Sequence, residues 1–274
     1  MMSIKVMKED GQGEIFKPTK VRYAIRRSGL SPKEADEILK KLQPRLYNGI
    51  TTKEIYRLVY GMIDDMRPEV SHKYNLKRAL LKIGPAGYEF EDFMASLLEL
   101  EGYSTKVRQI LQGKCVTHEI DVVAGKGKES YMIECKYKNH PGYRCRIQTA
   151  LYVYARFLDL REGAKRGNCE KLTMPWLVTN TKFSKDVITY SECMGLRLLG
   201  WRYPIRNSLE NQIDKTKCYP VSVINMGHRT LRQLLDNKIV TVFDIPESAE
   251  KLKAKTGISI RTARKIIGRA DHAR

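Results

Sequence analysis

The chain has 274 residues, and its 50 Lys and Arg residues outnumber its 31 Asp and Glu residues, which gives a net charge of +19. This charge favours polyanionic partners over acidic proteins in general, and a 42% hydrophobic content excludes wholesale disorder. The length indicates two or three domains, and the charge excess is spread over them: +8 in residues 1–82, +5 in 83–207 and +6 in 208–274.

No apolar run approaches the roughly 20 residues that cross a bilayer, and the N-terminus lacks the apolar stretch of a secretory signal. We therefore expect a cytoplasmic protein with no membrane partner. The six cysteines include no C-x-x-C pair, which argues against a disulfide framework and against a structural zinc site.

The first segment, residues 1–84, predicts a hairpin followed by helices. Apolar residues flank a turn at Asp10-Gly11, as expected for a β-hairpin: Ile4, Val6, Ile15 and Phe16. Helical spacing continues through four stretches, at 18–28, 31–46, 51–66 and 68–82. The second of these begins with the capping-box pair Ser31 and Glu34. The domain is expected to end near Gly84-Pro85.

This segment resembles the ATP-cone, a nucleotide-binding module of ribonucleotide reductases and of a bacterial repressor of their genes. The matching residues are Val6, Lys8, Asp10, Gly11, Glu14, Phe16, Lys20, Ile50, Thr52 and Ile55. The resemblance implies ATP or dATP as an allosteric ligand. It implies nucleotide contacts at Val6, Lys8, Glu14, Lys20 and Thr52, and a late basic contact at Lys77 or Arg78. The chain has no Walker-type glycine loop, so ATP hydrolysis is not predicted.

The second segment, residues 85–207, alternates helices and strands. An amphipathic helix from Tyr88 to Gly102 precedes three strands, at 104–111, 118–125 and 130–138. A helix at 147–160, a strand at 174–180, a helix near 184–195 and a strand at 196–201 follow. This order predicts an α/β domain with a mixed sheet and helices on both faces.

The strand pair of this segment carries the chemistry. Period-two alternation puts Glu134 and Lys136 on one face, and a turn at residues 125–128 places Asp121 opposite Glu134. Cross-strand Cβ atoms lie about 5 Å apart, where two carboxylates repel each other. A divalent cation, Mg²⁺ or Mn²⁺, is the natural counter-charge. Glu119 shares the face of Asp121 and is a further candidate ligand.

This pattern resembles the PD-(D/E)xK nuclease motif, in particular that of the Mrr-like restriction endonucleases. The resemblance implies that Asp121 and Glu134 hold the metal and that Lys136 positions or activates the attacking water. It also adds Glu91, on the helix before the strands, and Gln148, on the helix after them, to the catalytic set.

Further residues bear on this resemblance. The sequence at 177–184, LVTNTKFS, matches the closing strand-helix unit of the Mrr-like branch, whereas Ile120-Asp121 replaces the Pro-Asp dipeptide. The spacing from Asp121 to Glu134 also resembles that of archaeal Holliday-junction resolvases. Cys135 and His118 alternate away from the Asp121 face, and we interpret both as structural.

The pattern of the third segment, residues 208–274, predicts helices. A helix, a tight turn and a second helix near 251–270 resemble a helix-hairpin-helix module, whose turn amides bind a DNA phosphate. The implied DNA contacts are Gly257, Ser259, Arg261, Arg264, Lys265 and Arg269. Ser259 stands where the motif has its second turn glycine. A small helical bundle used for dimerisation or packing is the alternative.

The leading hypothesis is an α/β multidomain enzyme of three parts: an ATP-cone at 1–84, a nuclease domain at 85–207 and a helical DNA-binding domain at 208–274. It would be a metal-dependent DNA endonuclease regulated by ATP or dATP. Since one site cuts one strand, double-strand cleavage favours a homodimer. Two alternatives stay open: a nucleotide-responsive DNA-binding regulator with a nuclease-like fold that does not cut, and a Holliday-junction-type resolvase.

Overall fold

The computed structural model describes residues 4–8, 11–84, 87–140 and 142–274. Asp10 of the predicted hairpin turn and Pro85 of the predicted boundary lie outside the described residues. The chain forms two compact units, one of residues 1–77 with 271–273, and one of residues 78–270 with 274.

The first unit opens with the predicted hairpin, in which β1 (Lys5–Met7) pairs antiparallel with β2 (Gly13–Ile15). The helices that follow are α1 (Pro18–Arg27), α2 (Pro32–Leu42), α3 (Thr52–Met66) and α4 (Pro68–Leu80). Capping boxes begin α2 and α3, since the side chains at Ser31 and Thr51 each accept the backbone N–H of a glutamate three residues on. The apolar residues at helical spacing form one core: Val6, Ile25, Leu30, Ala35, Ile38, Leu42, Ile50, Ile55, Val59 and Ile63.

The second unit is built on a five-stranded sheet. Its strands are β3 (Ser104–Gln112), β4 (Thr117–Lys126), β5 (Glu129–Lys136), β7 (Met174–Thr179) and β9 (Arg197–Leu199). They lie in the order β3-β4-β5-β7-β9. The pairs β3–β4 and β4–β5 are antiparallel, whereas β5–β7 and β7–β9 are parallel, so the sheet is mixed as the sequence predicts.

Three helices belong to this sheet: α5 (Tyr88–Leu100), α6 (Ile147–Lys165) and α7 (Lys185–Met194). The predicted apolar side of α5 is fully buried: Phe90, Phe93, Met94, Leu97 and Leu98. A second apolar cluster joins α6 and α7 to β4, β5, β7 and β9. Two short strands, β6 (Arg144–Cys145) and β8 (Lys182–Phe183), form a separate parallel ladder in a region where the sequence pattern marks no strand.

Residues 208–270 belong to the same compact unit as the sheet. Their helices are α8 (Leu209–Thr216), α9 (His228–Asp236), α10 (Ala249–Thr256) and α11 (Ile260–Asp271). Ser222 donates a 2.7 Å hydrogen bond to the Ala79 carbonyl, and Arg232 lies 3.6 Å from the Glu89 carboxylate at the start of α5. Across the described part of the chain, the helices are all too short or too polar to span a membrane.

Gly163 marks a close approach of α6 to the turn between β3 and β4. A Cβ at this buried position would lie 2.7 Å from the Gly113 carbonyl carbon and 2.8 Å from the Gln112 carbonyl oxygen. Since both neighbours are backbone atoms, Gly163→Ala is expected to lower the free energy of unfolding by about 1–3 kcal/mol, although alanine favours helices. Urea unfolding followed by circular dichroism measures the change.

Gly268→Ala is the matched control. Gly268 lies in α11 of the same unit, and a Cβ there would have no neighbour within 4 Å. The control is expected to raise the free energy of unfolding by up to about 1 kcal/mol, since alanine is the better helix former. Equal effects of the two substitutions would contradict the close approach.

Candidate active site

The candidate site lies where the ladder between β4 and β5 ends. The pairing runs from Lys126↔Glu129 to Val122↔Ile133, so the next positions along the two strands are Asp121 and Glu134. This is the register that a turn at residues 125–128 predicts. Beyond Val122↔Ile133, a side-chain hydrogen bond takes the place of backbone pairing. The Cys135 backbone N–H donates a 2.7 Å hydrogen bond to the Asp121 carboxylate.

Glu134 is buried, at 2% exposure, and both of its carboxylate oxygens have cationic partners. Lys136 Nζ lies 2.5 Å from Oε1, and the Arg156 guanidinium donates to Oε2. Arg156, itself only 8% exposed, comes from α6 and also donates to the backbone carbonyl of Glu119. One arginine therefore connects β5 to β4 at the point where their own hydrogen bonds stop.

The carboxylates of the site repel one another. Burial raises the pKa of Asp121 to about 6, and the neighbouring charge of Glu134 adds to the rise. Burial would lower the pKa of Lys136, but the Glu134 carboxylate outweighs this effect and the pKa is raised. Lys136 thus stays protonated, while the negative charge of Asp121 is not fully compensated. A cation placed between the two carboxylates would supply it.

Glu91, in the first turn of α5, contributes a third carboxylate. Burial raises its pKa to about 7, the charge of Asp121 adds to the rise, and Arg108 partly offsets it. Arg108 lies 3.2 Å from Glu91 and 2.6 Å from Asp92. It adopts a left-handed backbone conformation, φ 51°, within β3. Such a conformation costs about 1–2 kcal/mol for a residue with a side chain, so two ion pairs fix a strained position beside the site.

The remaining predicted site residues lie farther out. The Glu119 side chain is exposed, and the contact of this residue with Arg156 is made by its carbonyl. Gln148 is exposed in the first turn of α6. Within the described residues, no three His, Cys, Asp or Glu side chains converge as a metal cluster. Two carboxylates are nonetheless enough for Mg²⁺, which usually keeps several waters and is completed by substrate phosphate.

The two residues interpreted as structural have structural surroundings. Cys135 is buried, and burial raises the pKa of its thiol, which keeps the thiol neutral. His118 Nε2 lies 2.8 Å from Asp159 of α6. The same carboxylate accepts the backbone N–H groups of Cys115 and Val116, so Asp159 fixes the turn before β4.

In the first unit, two of the predicted nucleotide contacts converge on a third. Lys20 Nζ lies 3.0 Å and Lys8 Nζ 3.4 Å from the same oxygen of Glu14. The hydrogen bond from Lys20 lowers the pKa of Glu14. Val6 is buried in β1, and Thr52 is the first residue of α3. Arg78 lies in α4.

The predicted DNA contacts lie on the exposed side of α11 and in the turn before it. Gly257 ends α10 in a left-handed conformation, φ 72°, and the Ser259 hydroxyl accepts the Thr262 backbone N–H. Four exposed cations follow on α11: Arg261, Arg264, Lys265 and Arg269. Arg269 donates to the Asn225 carbonyl at 2.5 Å.

Arg156 and Arg108 are the residues that sequence reasoning misses. The buried positions of α6 include Ala150, Val153, Phe157 and Leu160, and Arg156 falls on the same side of the helix. A cation inside an apolar helical pattern calls for a buried anion, and that signal points to Arg156. Arg108 gives no such signal, because its role depends on which helix packs beside β3.

Comparison with known proteins gives two family matches. The model for the ATP cone domain matches residues 4–80, and the model for a restriction endonuclease matches residues 85–199. An uncharacterized protein of Archaeoglobus fulgidus is 40% identical over 177 residues, which cover 65% of this chain and 97% of that protein. A crystal structure of a protein of unknown function is similar with a TM-score of 0.58 and 38% identity, over 67% of this chain and 96% of that one.

Arg156→Met is expected to lower the free energy of unfolding by roughly 3–5 kcal/mol, because the buried Glu134 then keeps Lys136 as a cationic partner on one oxygen while the charge on the other is left uncompensated. Denaturant unfolding measures the loss. The double variant Arg156→Met/Glu134→Gln is expected to lose less than the two single losses combined, since neutralising the glutamate removes the uncompensated charge.

Arg161→Met is the control on the same helix. The Arg161 side chain is 48% exposed, so its loss is expected to change the free energy of unfolding by less than about 1 kcal/mol. Strictly additive losses in the double variant would show that Arg156 and Glu134 do not depend on each other.

Proposed function

The chain belongs to the proteins that join an ATP cone domain to a restriction endonuclease domain, and from that membership we propose that it is a metal-dependent DNA endonuclease regulated by ATP or dATP. The observation that carries the proposal is the meeting of Asp121 and Glu134 at the end of the β4–β5 ladder, beside Lys136.

The residues at this point fit a divalent cation. Asp121 and Glu134 offer the hard oxygen ligands that Mg²⁺ and Mn²⁺ prefer. Burial and the neighbouring charge of Glu134 raise the pKa of Asp121, and a cation bound there would offset both effects. Such an ion would lower the pKa of a water molecule and neutralise charge on the scissile phosphate. Glu119, on the same strand, remains a candidate further ligand.

The other residues of the site act on the substrate and on protons. Lys136, held protonated by Glu134, would donate to a phosphate oxygen or to the attacking water and offset developing charge. Glu91, with a pKa near neutrality, is suited to exchange a proton at physiological pH. Gln148, at the start of α6, would orient the water or the phosphate.

The nucleotide proposal rests on the three charged residues of the first unit. Lys8 and Lys20 compensate one carboxylate, Glu14. A triphosphate would draw both lysines to itself and leave Glu14 to accept hydrogen bonds from the adenine or ribose. Val6 and Thr52, in the same unit, would complete the site, and the resemblance adds a late basic contact at Lys77 or Arg78. Nucleotide binding would then regulate cleavage.

Duplex binding and oligomeric state complete the proposal. The turn at Gly257 and Ser259 and the exposed cations Arg261, Arg264, Lys265 and Arg269 would hold DNA phosphates. Since one site hydrolyses one strand, cleavage of both strands would use a homodimer.

The substitutions Asp121→Asn, Glu134→Gln and Lys136→Met are each expected to reduce Mg²⁺-dependent nicking of supercoiled plasmid by at least about 100-fold. The reason is that each removes a metal ligand or the cation beside the phosphate. DNA binding measured without metal is expected to change little. Gel quantification of nicked and linear product over time gives the rates.

Glu129→Gln is the control, since Glu129 is exposed at the opposite end of β5. Unchanged nicking by the Glu134 variant would overturn the catalytic assignment. If the native chain cleaves none of a panel of linear, nicked, branched and methylated DNA, with or without ATP, the regulator hypothesis replaces the enzyme.

Lys8→Gln and Lys20→Gln are each expected to weaken ATP binding roughly tenfold, because each removes a charged donor to the phosphates. Isothermal titration calorimetry on the full chain measures the affinity. Lys33→Gln, an exposed substitution in α2, is the control. Native affinity in both variants would place the nucleotide elsewhere or exclude it.

A further inference from the structure

The chain that follows Lys136 is held rigidly. The Thr179 hydroxyl donates a 2.7 Å hydrogen bond to the Lys136 carbonyl. Asn180, at 1% exposure, accepts the Lys138 backbone N–H at 2.9 Å and donates to the Lys138 carbonyl at 2.6 Å. The buried side-chain amide of Asn180 thus bonds both backbone groups of Lys138, as the backbone of a neighbouring strand would. The backbone of Lys136 and Lys138 is therefore tied to the residues at the end of β7.

This segment leads to a ladder of only two residue pairs. Cys145 pairs with Phe183, and both are buried, whereas Arg144 pairs with Lys182, and both are exposed. The Ser184 N–H donates to the Cys145 carbonyl and ties the end of the ladder. Like charges directly opposite each other in a ladder are destabilising. The buried pair therefore holds two cations side by side against their repulsion.

Neither cation has an ion-pair partner in the described part of the chain. Over residues 4–8, 11–84, 87–140 and 142–274, no carboxylate forms an ion pair with Arg144 or Lys182. Arg146, exposed at the N-cap of α6, adds a third positive charge one residue after the ladder. Two opposed cations without a counter-ion on an ordered surface point to an anion from outside.

The ladder is close to the candidate active site. Thr179 pairs with Lys136, and Lys182 is three residues farther along the chain, which is at most about 10 Å of extended backbone. Burial raises the pKa of the Cys145 thiol, and the charges of Lys136 and Lys138 act against that rise. An anion on the ladder and a phosphate at Lys136 would therefore lie within one short stretch of a polymer.

We propose that Arg144 and Lys182, with Arg146 beside them, bind the DNA backbone phosphates next to the phosphate that is hydrolysed. This inference rests on the proposed nuclease function and adds a DNA-binding surface separate from α11. Duplex DNA carries one negative charge per roughly 1.7 Å of its axis, so it can satisfy neighbouring cations at once.

The test is the salt dependence of duplex binding. The native chain and the double variant Arg144→Gln/Lys182→Gln are titrated against a fluorescent duplex in EDTA at several salt concentrations. The plot of log affinity against log salt is expected to be shallower by about two in the variant, since each lost phosphate contact removes about 0.9 from the slope. The charge-retaining variant Arg144→Lys/Lys182→Arg is expected to bind as the native chain does.

The control, Arg166→Gln/Lys171→Gln, removes the same charge from exposed positions between α6 and β7, at the far ends of these elements. Its slope is expected to equal the native one. A native slope in the ladder variant overturns the proposal, and so does an equal decrease in both variants, because that would be an effect of net charge alone. Should the double variant not fold by circular dichroism, Lys182→Gln alone is expected to lower the slope by about one.

These outcomes separate the ladder from the nuclease function. If the native chain binds duplex DNA but does not cleave it with Mg²⁺, the proposed nuclease function fails while the slopes still decide the role of the ladder. If it cleaves but the ladder variant keeps the native slope, only the ladder proposal fails.

Discussion

The end of the β4–β5 ladder is the constraint on which the candidate site depends. The backbone pairing of β4 and β5 stops at Val122↔Ile133, just before Asp121 and Glu134. If the pairing continued, backbone hydrogen bonds would join the strands at these two residues. Instead, β5 continues its pairing with β7 alone, through Glu134↔Leu177 and on to Lys136↔Thr179. One side of β5 is thus rigidly supported while the other opens. A reactive centre needs both properties: fixed side chains and space for a substrate.

Arginines stabilise the point where β4 and β5 separate, but they do not remove the repulsion between the carboxylates there. Arg156 compensates Glu134, and Arg108 compensates Glu91, so two of the three carboxylates have an internal counter-charge. Among the described residues, the hydrogen bond that the Asp121 carboxylate accepts comes from the uncharged backbone N–H of Cys135. These internal cations therefore offset part of the negative charge of the three carboxylates. A protein with a net charge of +19 thus contains a cluster of largely buried carboxylates.

Local patterns predict most of this architecture. The turn at 125–128 determines the register of β4 and β5, and the apolar spacing of α5 identifies its buried side. The strands β6 and β8 escape prediction because two residues carry no periodicity. Arg156 has a signal in the sequence, a cation at an apolar position of α6, but its partner does not. The role of Arg108 depends on which helix packs beside β3, and a single sequence does not specify that in advance.

Helix α6 has a further consequence for how this domain can vary. Arg156 reaches Glu134 and the Glu119 carbonyl, and Asp159, three residues later, holds His118 and the turn before β4. One turn of α6 thus contacts the start of β4 at two places. Each residue inserted into a helix rotates all later side chains by about 100°. An insertion between these two positions would detach one contact whenever the other was kept. The spacing between Arg156 and Asp159 should therefore be kept in related proteins, whereas the loop at 166–173 can change in length.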